Sequence, residues 1–509
     1  MVTNTDLSEM INGVWRIKWW KHRYVLIAAL IVSLLLINHF FFDQTATDLN
    51  PFRTPPTTEG DPEVKGIPPA FPEALIRSST ALSSTSEAAS TPATSSAISE
   101  PTNTSGPSAT IPSSSSTFNL HDYDFDGEYI GWPLERLCKE TTWTPGLTFV
   151  CDNNSGGIGN IRNFILTCVR YAIDAGASQI ILPRIQQRSE DDLANIFTTG
   201  FQPFDYFFDE DHFRNTIGTH CPQMKIYNTP EDIPHAEDRL KIKEFYPKDL
   251  GDLDGCDGRG VNRHLDMFRP KFDNWLNTTQ QTPNATHPVT IRFKWATFFE
   301  WPIYRDGPEF AATFGDILRL RKDIQALAAK ALTEMSSFVG VKPNGKTLEA
   351  PYLGVHLRTE SDALGFWPNF NEQSNGYLAQ ADKRGIKHAY LACGNATEGK
   401  RFADKAWEKS KLNVTTKLDL LRGEDLKQLT DLSWDQQALV DFLILSKSTH
   451  FTGCSFSSFT MNIAFKRHLM TGGIQTRPWK SPGDEFSTLI GRFESWYGDW
   501  MFMYECMWP

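Results

Sequence analysis

Leu147-Thr-Phe-Val-Cys-Asp-Asn-Asn-Ser-Gly-Gly-Ile-Gly-Asn160 is the stretch on which the fold class turns. Leu147 to Cys151 is a short apolar run bounded by polar residues, the pattern of a buried strand. Ser155 to Asn160 is a glycine-rich turn. Ile161, Phe164, Ile165, Cys168, Ala172 and Ile173 then recur at helical spacing, and Ile180-Ile-Leu182 reads as the next buried strand. Strand, glycine turn, helix and strand make the building block of a doubly wound parallel sheet, so the chain is an α/β protein. The turn departs from G-x-G-x-x-G, because Arg162 stands where the third glycine belongs. That argues against a dinucleotide cofactor. Gly157 and Gly159 still let backbone amides and a helix N-terminus approach a ligand closely.

Downstream, Ile317, Leu320, Ile324, Leu327, Ala331 and Met335 form one stripe, predicting a long amphipathic helix that packs between two halves. A second α/β unit starts with strand Tyr352–Leu357 and continues through strand Ala389–Ala392 and the helical run Trp434–Leu445. Strand His450–Thr452, the turn Gly453–Phe459 and a helix to about His468 complete it. Two such halves predict a cleft, with ligands at the carboxyl ends of the strands.

Upstream the chemistry changes twice. Tyr24–Phe42 is apolar except for Ser33, Asn38 and His39, and its nineteen residues span roughly 28 Å as a helix. Arg16, Lys18, Lys21 and Arg23 precede it, which predicts a cytosolic N-terminus. The bulky Phe40-Phe41-Phe42 argues for a retained signal anchor over a cleaved signal peptide. More than half of residues 78–117 are Ser or Thr, with prolines interspersed. Such a tract cannot form a core and reads as an extended, O-glycosylated or bare stalk. The expected organisation is a cytosolic tail (1–23), a transmembrane anchor (24–42) and a disordered stem (43–117). A first α/β lobe with its linking helix (118–335) and a second α/β lobe (336–509) follow.

All eight cysteines lie beyond the apolar segment, as a lumenal location in Golgi or endoplasmic reticulum would favour, and they allow up to four disulfides. Cys168, inside an apolar helical pattern, reads as a buried thiol. Sequons at Asn103, Asn153, Asn277, Asn284, Asn395 and Asn413 agree weakly with that location. With 50 Lys and Arg against 61 Asp and Glu, the net charge is -11, which argues against a nucleic-acid partner.

Two motifs fail on context. Gly340-Val-Lys-Pro-Asn-Gly-Lys-Thr347 fits G-x-x-x-x-G-K-[ST], but a helix precedes it and a strand follows, the reverse of a phosphate loop. Asp252-Leu-Asp-Gly-Cys-Asp257 lacks the later carboxylates of a calcium loop.

The chemistry gathers at His356-Leu-Arg-Thr-Glu-Ser-Asp362, which leaves the end of a central strand. Alternation puts His356 and Arg358 on one side. A guanidinium there suits an anion, since its fork matches two phosphate oxygens. Ser457-Ser458-Phe459 at a helix start adds hydroxyls and free backbone amides. Together they suit a pyrophosphate-bearing donor.

Four segments together resemble the protein O-fucosyltransferase family. They are G-G-x-G-N at 156–160, F-D-Y-F-F-D-E-D-H-F at 204–213, H-L-R-x-E-x-D at 356–362, and Asp435-Gln-Gln-Ala-Leu-Val-Asp441 with Gly453 and Ser457-Ser-Phe459. The resemblance, over roughly 145–470, implies two Rossmann-like lobes (GT-B) and metal-independent, inverting transfer of fucose from GDP-fucose to a hydroxyl of a protein or glycan. It implies that Arg358 meets the leaving diphosphate and that Asn160 lies near the reacting sugar. His356 and Asp362 would hold the nucleotide sugar, Ser457, Ser458 and Phe459 would cradle the phosphates, and Asp441 would lie near the nucleotide. Glu360 is the candidate base for the acceptor. Asp122-Tyr-Asp-Phe-Asp126, Trp132-Pro133 and the run Trp496–Tyr504 fall outside the resemblance, and the last reads as packing. A silent sugar- or protein-binding module and a stalked wall protein are the alternatives from other functional classes.

Overall fold

A computed structural model describes residues 125–509, apart from 194, 197–198, 251–255, 257–266, 280–281, 295–299, 342–350, 364–366, 473–482, 496–498 and 500. The anchor, the stem, Asp122 and Asp124, most of the phosphate-loop look-alike and the acidic loop around Cys256 therefore lie outside the described residues. Among the described residues no helix is long and apolar enough to cross a membrane.

Two five-stranded parallel sheets carry the fold. The first comprises β1 (Thr144–Val150), β2 (Ala177–Ile181), β5 (Lys225–Tyr227), β6 (Leu240–Phe245) and β7 (Val289–Phe293), in the order β5-β2-β1-β7-β6. A two-stranded antiparallel hairpin, β3 (Ile185–Gln186) and β4 (Phe201–Gln202), branches from it. The second comprises β8 (Leu353–His356), β9 (His388–Ala392), β10 (Asn413–Thr415), β11 (His450–Cys454) and β12 (Ser487–Ile490), in the order β10-β9-β8-β11-β12. In each sheet the chain leaves a central strand in one direction and later returns on its other side. Those reversals fall beside β1 and β8, where doubly wound sheets open a crevice for ligands. His356 at the end of β8 stands level with Gly453 and Ala392, so the loops after β8, β9 and β11 leave one edge together.

Helix α1 (Ile158–Asp174) is buried on nearly every side, as an apolar helix inside a large domain must be. Its one buried guanidinium pair is well matched: Arg170 bonds both oxygens of Asp306 at 2.8 and 2.7 Å beneath the Trp301 ring. Helix α2 (Lys322–Phe338) is the predicted linking helix, but it starts five residues after Ile317. Ile317 closes a 3₁₀ turn and Leu320 bridges to Phe208. In the second lobe α3 (Phe370–Arg384) flanks the sheet, α4 (Trp434–Ser446) packs on α2, and α5 (Ser458–His468) packs on α1. Lobe meets lobe through these two helix pairs.

Cys168 is not a thiol. It is bonded to Cys151 across 17 residues of sequence, stapling the end of β1 to the middle of α1 and closing the loop that holds the glycine turn. Apolar spacing marked Cys168 as buried, which it is, but a buried half-cystine has the same pattern. Cys138–Cys221 and Cys256–Cys506 are the other bridges among the described residues, leaving Cys393 and Cys454 as thiols. Burial pushes both thiols up to about 12, so they stay protonated and unreactive.

The last residues, assigned by sequence to the second lobe, fold onto the first. Met501–Pro509 are all buried. Arg162 donates to the carbonyls of Trp508 and Pro509, and Asn163 donates to the Cys506 carbonyl at 2.8 Å. The aromatic and Met residues of 501–504 are thus packing, as expected. Asp126, from the unexplained acidic cluster, is buried against Lys466 at 2.5 Å, and Lys466 also reaches Asp316 at 3.0 Å.

Candidate active site

The glycine turn and the Ser-Ser-Phe turn meet. Gly157 is the N-cap of α1 and Ser457 that of α5, and neither supplies a side-chain cap. Each helix therefore starts with backbone N–H groups left for another acceptor, at the positive end of its dipole. A Cβ on Gly159 would lie 2.5 Å from the Ser458 carbonyl carbon and 2.7 Å from the Phe459 nitrogen. Only glycine lets the two helix starts close to this distance. Two uncapped helix ends converging on one spot favour an anion there.

Arg358 stands beside them. Its Nη1 donates to Glu360 at 2.5 Å and its Nη2 to Asp362 at 2.7 Å, and its guanidinium lies 5.4 Å from the Trp367 ring centre. The strand ends at His356, so alternation no longer applies beyond it. In the turn beyond it, Glu360 folds back onto Arg358. Its other oxygen accepts from the Gly394 N–H at 2.8 Å. Both Glu360 oxygens are thus engaged, one by the guanidinium and one by an amide, and Glu360 holds Arg358 in place. Burial works against the Arg358 charge, but Glu360 and Asp362 outweigh it and raise its pKa. Asp362 is pushed up by burial, and the Arg358 hydrogen bond with both nearby guanidinium charges brings it below its ordinary value.

His356 packs its ring 4.7 Å from that of Phe459 and bonds Thr460 Oγ1 through Nδ1 at 2.6 Å. Burial, seconded by the Arg358 charge, lowers its pKa to about 4 against the pull of Glu360. It is a neutral ring, able to hydrogen-bond but not to neutralise phosphate. Asn160 lies in the first turn of α1, half-buried, with Nδ2 next to Gly156. Asp441 is placed elsewhere in purpose: Tyr390 and Lys417 bond its two oxygens, each at 2.6 Å, between helix and sheet. It serves the packing of the second lobe.

Sequence reading missed three groups. Arg188, on the hairpin loop after β3, reaches across to Asp362. Asp435 accepts from the Tyr206 hydroxyl at 2.7 Å, which explains the tyrosine in the 204–213 segment as a contact between lobes. Trp367 stacks on Phe456 beside Arg358. Arg188 and Trp367 stand at no motif spacing, and Asp435, inside the 435–441 segment, had no role assigned; all three converge only in three dimensions. Ser155 Oγ and Asp362 Oδ1 are buried without a hydrogen-bond partner among the described residues. Orphaned polar atoms are costly, and their presence at a cleft is accounted for by a polar ligand.

The sequence profile of the GDP-fucose protein O-fucosyltransferase family matches residues 147–470, which is 324 of the 509 residues. The chain belongs to this family. It is a glycosyltransferase. Compared as a whole sequence with curated proteins, it finds no match. Among solved structures, POFUT1 in complex with GDP-fucose is similar at 14% identity and a TM-score of 0.40, over 68% of this chain and 99% of that one. A mutant of Arabidopsis thaliana FUT1 in complex with GDP gives 11% identity and a TM-score of 0.32, over 66% and 71%. NodZ alpha-1,6-fucosyltransferase co-crystallised with GDP gives 13% and 0.32, over 62% and 91%. The family's motifs at 156–160, 356–362 and 457–459 are the segments that meet at the cleft described above.

Proposed function

We propose that this O-fucosyltransferase family member moves fucose from GDP-fucose to a hydroxyl of a protein or glycan acceptor, inverting the anomeric carbon and needing no metal. The observation that carries the reading is the contact of Gly159 with Ser458 and Phe459, which sets the uncapped starts of α1 and α5 side by side next to Arg358. Breaking the bond between sugar and phosphate leaves negative charge on the diphosphate. Cations and amides already in place stabilise that charge more as it grows, which lowers the barrier. Arg358 has its Nη1 and Nη2 tied to carboxylates, so its plane is set before the donor arrives. Asn160, in the first turn of α1, is the group assigned to the sugar. Ser457, Ser458 and Phe459 are assigned to the phosphates, and neutral His356 and Asp362 to the positioning of the nucleotide sugar.

Three disulfides support synthesis in an oxidising lumen. With the apolar segment 24–42 and the Ser/Thr-rich tract after it, they favour a Golgi or endoplasmic reticulum enzyme tethered by one N-terminal helix. The test is calorimetry of the full chain against GDP, UDP, GDP-fucose and UDP-glucose, with and without a chelator. GDP and GDP-fucose should bind, the uridine nucleotides should not, and the chelator should change nothing. No nucleotide binding, or a preference for UDP, would refute the reading.

A further inference from the structure

We infer that Arg188 is a second donor-phosphate contact, supplied by the first lobe and facing Arg358 of the second. The inference rests on the donor reading above and adds a residue to it. Arg188 sits in the loop joining β3 to β4, and this loop is laid on the second lobe: Glu190 accepts from the Trp434 N–H at 2.7 Å, and the Arg188 N–H reaches Asp435 at 3.4 Å. The guanidinium lies 5.6 Å from the Trp434 ring centre. Its Nε and Nη2 donate to the Leu193 carbonyl at 3.2 and 2.8 Å, which fixes the fork inside its own loop. Nη2 also pairs with Asp362 Oδ2, the same oxygen that Arg358 Nη2 bonds.

One carboxylate oxygen thus holds two guanidiniums from opposite lobes. Two like charges brought together repel, and of the two carboxylates here Glu360 bonds only Arg358, which leaves Asp362 shared between both guanidiniums. A diphosphate offers several oxygens and more charge, and matches a guanidinium fork better than a shared oxygen does. The free donor of Arg188 points to where such a group would lie. Its Nη1 is 3.6 Å from the Cβ position that Gly157 leaves empty and hydrogen-bonds none of the described residues. Gly157 opens the helix start that meets the phosphate-assigned turn of α5, and it is the lack of a side chain there that admits the guanidinium.

The test compares Arg188→Gln with wild type in the full chain, because Gln keeps the bulk and the loop hydrogen bond while removing the charge. Affinities for GDP, GMP and guanosine are measured by calorimetry, with circular dichroism as the check on folding. Loss of one charged phosphate contact should weaken GDP about 10- to 100-fold and leave guanosine within about twofold of wild type. Arg188→Lys, which keeps the charge without the fork, should recover part of the loss. Unchanged GDP affinity in Arg188→Gln would overturn the inference. So would an equal loss for GDP and guanosine, since that marks a residue that only holds the cleft together. If wild type itself fails to bind GDP, the donor reading falls first and this inference with it.

Discussion

Substituting Gly159 by Ala tests the central geometric claim, that two helix starts touch at the cleft. The added Cβ would sit 2.5 Å from the Ser458 carbonyl carbon and 2.7 Å from both the Ser458 oxygen and the Phe459 nitrogen. These are backbone atoms and cannot swing aside as a side chain can. Ordinary contact begins near 3.4 Å, so α1 and α5 must part by about 0.9 Å, the difference between 3.4 and 2.5. Overpacking of this kind costs about 1–3 kcal/mol. Alanine returns up to about 1 kcal/mol through its better helix propensity. The net loss of stability is therefore small, about 0–2 kcal/mol, whereas the anion site is pulled open. Losing one or two amide contacts to a charged phosphate should weaken GDP about 10- to 100-fold. Calorimetry against GDP, beside a urea melt, reads both effects. Gly218→Ala is the control: nothing lies within 4 Å of its added Cβ, so it should leave GDP binding unchanged and be stabilising by up to about 1 kcal/mol. Wild-type GDP affinity in Gly159→Ala would refute the reasoning, because the turns would then not be in contact.

Arg358→Lys should lower the rate of GDP-fucose cleavage at least about 100-fold while the chain stays folded, since the charge remains but the fork that meets Glu360 and Asp362 is lost; mass spectrometry of released GDP checks it. Removing the Cys151–Cys168 bridge by a double serine substitution should cost about 3 kcal/mol, the figure expected for a loop of this size, measured as a shifted urea midpoint. For His356 the folded pKa of about 4 lies below the unfolded value near 6.5. Its contribution is therefore complete above pH 6.5 and is lost as pH falls toward 4, by about 3 kcal/mol in all. His356→Gln should flatten that part of the stability–pH curve, and an unchanged slope would show that the ring takes up its proton in the fold. Asp362, with its depressed pKa, behaves as an acid: its stabilising share persists above the unfolded value near 3.9 and is lost only as pH falls through the lower folded pKa. Asp362→Asn should therefore lower the curve by a constant amount between pH 5 and 8, leave its slope there unchanged, and change its shape only at the acid end.

The parts legible in sequence were those in which local pattern and tertiary role coincide. β1, β8 and β11 are short apolar runs that end in glycine or serine turns, because a central parallel strand is buried on both faces and its ligand loop must approach closely. Helices α4 and α5 were legible for a similar reason. Lys225–Tyr227 and Asn413–Thr415 are edge strands of three residues whose periodicity is too brief to read. Val289–Phe293 alternates but is isolated from any turn signal, and it pairs with β1 across more than a hundred residues of intervening chain. The site divides the same way. Arg358, Asp362 and the two glycines announce themselves at one turn each, whereas Arg188 and Trp367 acquire meaning only when distant loops converge. Cys168 shows a limit, because burial predicts that a cysteine is inside and says nothing about its partner.

The return of the C-terminal segment to the first lobe has a consequence for how the protein is made. Cys256 is paired with Cys506, 250 residues further along the chain. Its partner is synthesised roughly 12–50 s later at 5–20 residues per second. For most of that interval, once β7 has been made, the first lobe has all its strands but lacks Phe502, Trp508 and the carbonyls that occupy Arg162. It must wait with an open apolar slot and an unpaired Cys256 thiol, while Cys138–Cys221 and Cys151–Cys168 can already close. A truncation removing residues 501–509 would therefore damage the lobe that is made first.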